Sequence, residues 1–341
     1  MSDAPVKIGF VGCGKQASDA WYPNFATIPE LDLVACCDLR QELAERNARH
    51  YGALKWYTDM QAMLEQEDLD AVMVVGPPAM HYACGKQVLE AGLPLMMEKP
   101  ASHRTENARE LVELAESRGV MTQIGHNMRH APGVMKFREL MKTPEFGKLI
   151  FLESRYFMPS PMWHDTYEYR DGWMYMIFQA THAVDLARFI GGEIEKVYAN
   201  LSVGAEGRFA IATVAHFDSG ATGTIMLAGN TPNWTCQLEA EGDARAHLRL
   251  VNLHTLEFET ATSEAGYRPV PGIPGQYWNP VTRGHAEKQG GYWVQMQAFA
   301  RAIQSGIQGS PSIRDGYQAM RVCEAILDSI ERGEPVAVER D

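Results

Sequence analysis

The chain has 341 residues, of which 45% are hydrophobic and 22% charged, a composition typical of folded globular proteins and not of disordered ones. Its 43 Asp and Glu residues outnumber its 31 Lys and Arg residues, so the net charge at pH 7 is -12. This acidity disfavours nucleic acids and anionic membranes as partners. At ~150 residues per domain, the length predicts two domains.

The sequence contains neither a membrane-spanning stretch nor an export signal. No run approaches the ~20 apolar residues that cross a bilayer, and the first residues lack a basic leader and an apolar signal core. We therefore expect a cytoplasmic protein. The six cysteines form no C-x-x-C pair, and no Cys or His cluster has the spacing of metal ligands, so we expect buried thiols and no bound metal.

Short continuous apolar runs dominate the first third of the chain and predict strands that are covered on both faces of a parallel sheet. They are Val6–Val11, Leu33–Cys37, Ala71–Val75, Leu95–Met97 and Val120–Ile124. Helical periodicity separates them at Gln41–Tyr51, His81–Ala91 and Thr105–Arg118. This alternation of strand and helix predicts a doubly wound α/β domain over residues 1–126.

The pattern changes in residues 127–341, which we predict as a second α/β domain. Its helices are predicted at Pro132–Met141, Ala183–Phe189, Tyr292–Ser305 and Arg314–Glu331. Seven apolar or alternating strands with hairpin-like links predict a largely antiparallel sheet. They are Lys148–Phe157, Ile194–Val203, Phe209–Phe217, Thr222–Leu227, Thr235–Glu241, Ala246–Val251 and Leu256–Thr260, and a Pro- and Gly-rich long loop is predicted at Val270–Gly291.

A glycine motif follows the first predicted strand. Gly12-Cys13-Gly14-Lys15-Gln16-Ala17 reads G-x-G-x-x-A between a strand and a helix, the context of the dinucleotide-binding fingerprint. Gly12 permits the tight turn, Gly14 lets the backbone approach a pyrophosphate, and the free N–H groups at the helix start face the phosphates. A glycine turn of any α/β protein is the alternative reading, because the motif alone is weak.

Asp38 follows the second predicted strand directly, 24 residues after Gly14 (38 − 14). A carboxylate there hydrogen-bonds ribose hydroxyls and repels a 2′-phosphate, which favours NAD. Arg40 leaves NADP open, since a nearby arginine can accommodate that phosphate.

Glu98-Lys99-Pro100 stands at the end of the strand Leu95–Met97. Carboxyl ends of parallel strands are where open α/β sheets bind ligands, so Lys99 could hydrogen-bond a reacting hydroxyl or carbonyl. A solvated lysine beside a turn proline is an equally good interpretation of this tripeptide alone.

Together these motifs resemble a known family. The glycine motif, Cys37-Asp38 and Glu98-Lys99-Pro100 occur in order with Gly76-Pro77-Pro78-Ala79-Met80-His81, Asn127-Met128-Arg129 and His182-Ala183-Val184-Asp185-Leu186. They resemble the Gfo/Idh/MocA family, which includes glucose–fructose oxidoreductase and inositol dehydrogenases, over essentially the whole chain. The resemblance implies a Rossmann domain followed by an α/β domain with an open, mostly antiparallel sheet. The exposed face of that sheet commonly pairs such proteins, here into a homodimer or homotetramer.

The resemblance also implies an activity, hydride transfer between NAD(P) and a carbohydrate or polyol carbon. By position, Lys99 is similar to the family's catalytic lysine and His182 to its general base. Imidazole titrates near neutrality and can take the alcohol proton, and an ammonium stabilises a developing alkoxide. The expected cofactor-binding residues are Gly12, Gly14, Lys15, Gln16, Asp38, Arg40, Pro77, His81, Glu98, Lys99 and Asn127.

One departure concerns the helix of His182. Many dehydrogenases of the family carry an Asp four residues before this histidine, where the chain has Phe178. Gln179, Tyr175, Asp171 or Asp165 could replace the missing carboxylate. The surrounding aromatic residues suit a sugar ring or an aromatic aglycone, although core packing or a subunit interface is the alternative. The expected substrate contacts are Lys99, Arg129, Arg155, Trp163, Tyr175, Phe178, Gln179 and His182, with a structural ion pair as the alternative role of Arg155.

Three functions follow from these observations. The leading hypothesis is an NAD(P)-dependent oxidoreductase acting on a carbohydrate, cyclitol or glycoside. The second is a redox-neutral enzyme that uses tightly bound NAD for transient oxidation and cleaves a glycoside. The third is a non-catalytic NAD(P)-sensing regulator, which would need neither Lys99 nor His182.

Overall fold

The computed structural model describes residues 4–160, 169–260, 276–278 and 290–339. The chain forms two compact units: Met1–Asn127 with His285–Gln318, and Met128–Gly284 with Ala319–Asp341. The domain boundary predicted between residues 126 and 127 stays a prediction, and the contacts additionally place a late segment of the chain with the first unit. Within the described ranges, no helix is long and apolar enough to cross a membrane.

The first unit is built on a six-stranded sheet in which all neighbouring strands run parallel. The strands are β1 (Val6–Val11), β2 (Leu31–Cys37), β3 (Lys55–Tyr57), β4 (Ala71–Val74), β5 (Leu95–Met97) and β6 (Thr122–Ile124). Their order is β3-β2-β1-β4-β5-β6, which is the order of dinucleotide-binding sheets. The predicted doubly wound fold is confirmed, and the carboxyl ends of all six strands lie along one edge.

Helices connect these strands. A π-helical turn at Ala17–Trp21 continues into α1 (Tyr22–Phe25), and α2 (Gln41–Tyr51), α3 (Met60–Gln66), α4 (Pro78–Glu90) and α5 (Thr105–Arg118) follow. Helix α4 begins three residues before the predicted start (81 − 78) because Pro78 occupies a first helical position, where its missing N–H costs nothing. Strand β3 escaped prediction because its three residues are mostly exposed and form no apolar run.

The second unit contains a nine-stranded sheet, and only one of its neighbouring pairs, β7 with β10, runs parallel. The strands are β7 (Leu149–Met158), β8 (Ile194–Val203), β9 (Phe209–Phe217), β10 (Thr222–Gly229), β11 (Thr235–Gly242), β12 (Ala246–Val251), β13 (Thr255–Thr260), β14 (Gln276–Trp278) and β15 (Val336–Ala337). Their order is β14-β13-β12-β11-β7-β10-β9-β8-β15, so the predicted mostly antiparallel sheet is confirmed.

One face of this sheet is packed and the other is open. Helices α6 (Pro132–Leu140), α7 (Trp173–Tyr175) and α8 (Thr181–Gly191) belong to this unit, with a π-helical turn at Met176–Ala180 leading into α8. The Ser154 hydroxyl donates to the Ala183 carbonyl over 2.9 Å, which places α8 on the Ser154 face. On β9 every second residue is exposed, and Val214 on the open face is 44% exposed.

The predicted loop at 270–291 is wrong at one point. Residues 276–278 form β14, which pairs antiparallel with β13 at the edge of the sheet. A three-residue edge strand among glycines and prolines has no run of alternating residues that would predict it. The rest of this segment, apart from Gly290 and Gly291, lies outside the described residues.

Two helices, α9 (Tyr292–Ser305) and α10 (Ile313–Arg332), close the described chain before β15. Helix α9 belongs to the first unit, where Met296 and Phe299 enter the same hydrophobic core as Phe10 and Trp21. The N-terminal sheet is therefore completed by residues from the other end of the sequence.

If α9 is integral to the first unit, Phe299→Ala should lower the free energy of unfolding by about 3–5 kcal/mol, since it leaves a cavity in the core. Ile307→Ala is the matched control, because this side chain lies just beyond the helix and is 70% exposed; it should change stability by less than about 0.5 kcal/mol. Urea unfolding monitored by tryptophan fluorescence measures both. Equal stabilities of the two variants would contradict the packing of α9.

Candidate functional site

The turn after β1 contains two glycines, and the structure gives a different reason for the absence of a side chain at each. Gly12 has φ +102°, and a Cβ there would lie 1.9 Å from the Val75 carbonyl oxygen, so the backbone requires glycine. A Cβ on Gly14 would meet no protein atom within 4 Å, so this glycine faces open space. The turn therefore leaves room for a ligand to approach the backbone at Gly14, as a pyrophosphate does in this motif.

Asp38, at the end of β2, supports this turn. Its Oδ2 accepts a hydrogen bond from the Cys13 N–H over 2.8 Å, and its Oδ1 accepts from the Arg40 N–H over 2.9 Å. The Arg40 Nε lies 3.6 Å from the same Oδ1, while most of its side chain is exposed. Each carboxylate oxygen retains a lone pair for a ribose hydroxyl. A cavity of about 510 Å³ opens here, lined by Gly14, Lys15, Arg40 and Arg46 among others.

The next two predicted cofactor residues are engaged within the protein. The exposed Lys15 ammonium forms an ion pair with Asp19 one turn later. The Gln16 side chain donates through Nε2 to the Tyr292 hydroxyl over 3.0 Å. Their backbone N–H groups, rather than their side chains, are what this region offers to a phosphate.

His81, predicted to bind cofactor, is instead a clamp between two strand ends. Its Nε2 accepts from the Gly76 N–H over 3.0 Å, and its Nδ1 bonds the Pro100 carbonyl oxygen over 2.7 Å, which makes Nδ1 the protonated nitrogen. The ring is buried, and burial lowers the pKa of His81 to about 4, so the imidazole is neutral. Both ring nitrogens are used within the protein, and the cofactor-binding role of His81 stays a prediction. Pro77 precedes α4 as an extended capping residue.

Glu98 and Lys99 lie at the carboxyl end of β5. The Glu98 carboxylate is buried and accepts from the Lys99 N–H over 2.7 Å and from the Tyr292 hydroxyl over 3.1 Å. Burial raises the pKa of Glu98, although Lys99 opposes this. Burial likewise lowers the pKa of the half-buried Lys99 ammonium, and the Glu98 carboxylate opposes that change. At this strand end, burial therefore favours the neutral form of each group, and each partner favours the charged form of the other.

Asn127 follows β6 at the same edge and is buried. Its Nδ2 donates to the Gly290 carbonyl over 2.6 Å, whereas its buried Oδ1 accepts no hydrogen bond from the residues that the structure describes. A buried amide oxygen without a donor is costly unless a ligand supplies one. The open space at Gly14, the Asp38 carboxylate and this oxygen fit a dinucleotide along the carboxyl edge of the sheet.

In the second unit, His182 lies in the first turn of α8 and is 7% exposed. Its ring lies against Tyr156 of β7, with ring centroids 5.6 Å apart and planes inclined by 33°. Trp234, just before β11, packs edge-on against the same Tyr156 ring at 6.2 Å. No sequence pattern indicates a role for Trp234, because it stands in a loop far from the aromatic residues that precede His182 in the sequence.

Arg129, a predicted substrate contact, pairs with Asp185 instead. The Arg129 Nε and Nη2 donate to the two Asp185 carboxylate oxygens over 2.8 and 2.5 Å, and both side chains are buried. The guanidinium also lies 4.9 Å from the centre of the Phe189 ring. Because Asp185 follows His182 by three residues on α8, this ion pair anchors the histidine's helix.

Two further expected substrate contacts, Arg155 and Tyr175, have partners within the protein. Arg155 lies on the sheet face opposite Tyr156, because neighbouring strand residues alternate, and it pairs with Glu153 over 2.7 Å. Tyr175 is fully buried, and its hydroxyl donates to the Ala228 carbonyl over 2.9 Å. Arg155 thus forms the ion pair that was the alternative to substrate contact, and Tyr175 packs in the core; their substrate contacts stay predictions. Trp163 and Asp165 lie outside the described residues.

Phe178 and Gln179 remain beside the histidine. Both belong to the π-helical turn Met176–Ala180 and are half-buried, whereas Asp171 is exposed. A π-turn has more than 3.6 residues per turn, so the four-residue spacing assumed for Phe178 does not transfer from a regular helix. Gln179 is the polar side chain of this turn that could stand in for the missing carboxylate.

Comparisons with known proteins cover most of the chain. A family model described as "Oxidoreductase family, NAD-binding Rossmann fold" (GFO_IDH_MocA) matches residues 6–126, and the GFO/IDH/MocA C-terminal domain matches residues 134–246. The D-glucoside 3-dehydrogenase of Escherichia coli is 31% identical over 155 residues, 46% of this chain and 44% of that protein. The chain thus spans less than half of that relative's length.

Other relatives match from end to end. The levoglucosan dehydrogenase of Pseudarthrobacter phenanthrenivorans is 23% identical over 370 aligned positions, which cover 94% of both chains. The crystal structure of a dehydrogenase from Chromobacterium violaceum superposes with a TM-score of 0.87 at 23% identity, over 97% of this chain and 96% of that one. This structural likeness supports the fold, and the family models confirm the resemblance inferred from the motifs.

Two glycine variants separate the backbone's requirement from the ligand's. Gly12→Ala should cost about 2 kcal/mol or more of stability, because of the positive φ and the clash with Val75. Gly14→Ala should fold with a stability within about 0.5 kcal/mol of wild type but bind NAD at least about tenfold more weakly. Thermal unfolding and calorimetric titration with NAD measure the two effects. Undiminished NAD binding by Gly14→Ala would remove this turn from the cofactor site.

His81 should make the protein acid-sensitive. Its pKa is about 4 in the folded chain against an ordinary 6.5, so the unfolded chain binds the proton first. The contribution of His81 to the free energy of unfolding is therefore fully present above pH 6.5, and it falls by on the order of 3 kcal/mol as the pH is lowered to 4. His81→Asn should be less stable near neutrality but lose less stability over this interval. The exposed His50→Asn should retain the wild-type decline, and urea unfolding across the interval compares all three proteins.

Proposed function

The chain belongs to the Gfo/Idh/MocA family of NAD-binding oxidoreductases, and from this premise we propose that it transfers a hydride between NAD and a carbon of a carbohydrate, cyclitol or glycoside. The observation that carries the proposal is the Glu98–Lys99 pair at the carboxyl edge of the dinucleotide-binding sheet: the Lys99 N–H donates to the buried Glu98 carboxyl, and burial lowers the pKa of the Lys99 side chain. A binding protein without catalysis has no need of such a desolvated lysine.

The cofactor residues are proposed from the first unit. NAD, when bound, supplies the nicotinamide carbon that exchanges the hydride. The backbone around Gly14 approaches the pyrophosphate, Asp38 accepts from the adenosine ribose, and the Asn127 Oδ1 accepts a donor of the ligand. The carboxylate of Asp38 disfavours a 2′-phosphate, so we propose NAD over NADP as the preferred cofactor.

Lys99 is proposed to act on the reacting oxygen. As an ammonium it donates a hydrogen bond to the substrate hydroxyl and stabilises the alkoxide that develops as the hydride leaves. Its partial burial strengthens this interaction, because a desolvated charge acts at a lower effective dielectric constant. The Glu98 carboxylate opposes the effect of burial and raises the pKa of the lysine, which favours its protonated form.

His182 is proposed as the general base in oxidation and the general acid in reduction. An imidazole can accept the hydroxyl proton near neutral pH. The helix that carries it is anchored one turn later by the buried Asp185–Arg129 ion pair, and its ring is supported by Tyr156. Both contacts limit the orientations that the imidazole can adopt, which favours proton transfer along one direction.

A carbohydrate is proposed as substrate for two reasons. Relatives are named D-glucoside 3-dehydrogenase and levoglucosan dehydrogenase. In the second unit, the half-buried Trp234 and Phe178 flank the region of His182 with aromatic surface, which suits the C–H face of a sugar ring. Gln179 is the proposed polar contact to a ring hydroxyl.

We also propose a cytoplasmic homodimer or homotetramer assembled through the open face of the nine-stranded sheet. Tyr198 and Val214 expose apolar surface there, at 38% and 44% exposure. Sedimentation velocity of the purified protein distinguishes a monomer from either oligomer.

The activity is tested by adding polyols, aldoses and glycosides to the protein with NAD and then NADP, and following NADH or NADPH absorbance in the near ultraviolet. Net reduction with one substrate class supports the dehydrogenase. Glycoside cleavage without net reduction would instead favour the redox-neutral reaction.

Lys99→Ala should lower kcat by about 10²–10⁴-fold, the range for loss of a positioned catalytic group, while NAD affinity changes little. Lys86→Ala is the control, since this lysine of α4 forms an ion pair with Glu110 near the surface. Its kcat should equal that of wild type. Turnover by Lys99→Ala within threefold of wild type would refute the catalytic role.

A further inference from the structure

The first residue of α9, Tyr292, connects two parts of the dinucleotide edge. Its hydroxyl donates to the Glu98 Oε1 over 3.1 Å and accepts from the Gln16 Nε2 over 3.0 Å. Its ring packs edge-on against Trp21 at 5.6 Å. The hydroxyl thus connects Gln16 of the glycine turn to Glu98 at the end of β5.

Glu98 is held tightly by this arrangement. One carboxylate oxygen accepts from Tyr292 and the other from the Lys99 N–H, and the residue is only 4% exposed. Gly125, directly after β6, packs closely against Glu98, since a Cβ there would lie 2.9 Å from both the Cα and the Oε2 of Glu98. Tyr292 is therefore the side-chain donor to one oxygen of this carboxylate, and the Lys99 N–H is the donor to the other.

Helix α9 is fixed by contacts that do not involve Glu98. The Trp293 indole N–H donates to the Thr27 hydroxyl over 3.0 Å, and the Gln297 side chain donates to Glu30 over 3.0 Å. Phe299 is buried in the core of the unit. Tyr292 is thus presented by an independently docked helix, as a positioning group requires.

We propose that Tyr292 is a positioning residue: its hydroxyl fixes the Glu98 carboxylate in the orientation that holds Lys99, and ties this strand end to the glycine turn. The inference rests on the proposed function in that Lys99 is taken as the catalytic cation. Tyr292 itself stays out of the chemistry. Its effect is transmitted through the charge and position of Glu98.

The electrostatic consequence has a definite sign. Burial lowers the pKa of Lys99 and raises that of Glu98, whereas the hydrogen-bond donors to Glu98 lower its pKa and so favour the ionised form. Among the described residues, the titratable groups with a stated interaction with this pair are Tyr292 from α9 and the neutral His81 from α4. Without the tyrosine hydroxyl, the ionised form of Glu98 loses one stabilising hydrogen bond and its carboxyl loses one orienting contact. Its electrostatic support of Lys99 is then weaker, so the pKa of Lys99 falls further.

The test measures the protonation of Lys99 directly. The rate at which acetic anhydride acetylates Lys99 is followed as a function of pH by peptide mass spectrometry. In Tyr292→Phe the midpoint should fall by about one pH unit, the size expected for loss of one charge-assisted hydrogen bond. Glu98→Gln, which removes the countercharge itself, should shift the midpoint at least as far in the same direction.

Trp293→Phe is the matched control, because it removes one hydrogen bond of the same helix that does not reach Glu98. Its midpoint should equal that of wild type. An unchanged midpoint in Tyr292→Phe, or an equal shift in both helix variants, would overturn the proposal. Thermal unfolding of each variant confirms that it is folded, and Glu98→Gln tests the same countercharge should Tyr292→Phe not fold: no shift in that variant also overturns the proposal.

Activity supplies the second readout. The alkaline limb of the kcat–pH profile should move to lower pH in Tyr292→Phe and not in Trp293→Phe, whereas a purely structural loss would lower kcat at every pH. A shifted acetylation midpoint in a protein that oxidises no sugar would support the positioning of Lys99 and refute the proposed function. If the wild-type protein oxidises a sugar but Tyr292→Phe has the same kcat–pH profile and the same acetylation midpoint, the proposed function is supported and the positioning role of Tyr292 is refuted.

Discussion

The buried carboxylate of Glu98 is the constraint on which the functional edge of the first unit depends. A carboxylate with so little solvent must be compensated by donors and a countercharge, and here they are the Lys99 N–H, the Tyr292 hydroxyl and the Lys99 ammonium. These requirements bring together the end of β5, the glycine turn and α9. His81 adds a second clamp by joining the ends of β4 and β5 through one neutral ring.

Much of the fold followed from apolar patterning. The bounds of β1, β5, β8, β9, α2, α5 and α9 are those predicted, because buried strands give continuous or alternating apolar runs and surface helices give a helical period. The short edge strands β3, β14 and β15 were not predicted, because each has only two or three residues. Their pairing depends on neighbours distant in sequence, which no local pattern records.

The candidate site shows the same difference between features that follow from local sequence and contacts between residues distant in sequence. Backbone requirements were predictable, since Gly12, Gly14 and Asp38 follow from strand-to-helix geometry. Side-chain partners were not. The sequence predicts a substrate contact for Arg129 but does not indicate its ion pair with the buried Asp185, because the two residues are 56 positions apart. Tyr292 and Trp234 carried no signal either, because an aromatic residue at the start of a helix or in a turn is ordinary until its neighbours are known.

The first unit is not one continuous piece of sequence, since α9 returns to it after the whole second sheet. A nascent chain therefore cannot complete this unit until nearly all of the protein has left the ribosome, and the N-terminal residues wait with part of their core uncovered. For the same reason, a chimera that borrows only residues up to Asn127 would inherit the glycine turn without Tyr292, Met296 and Phe299. Modular exchange of this nucleotide-binding half would have to transplant two separated segments together.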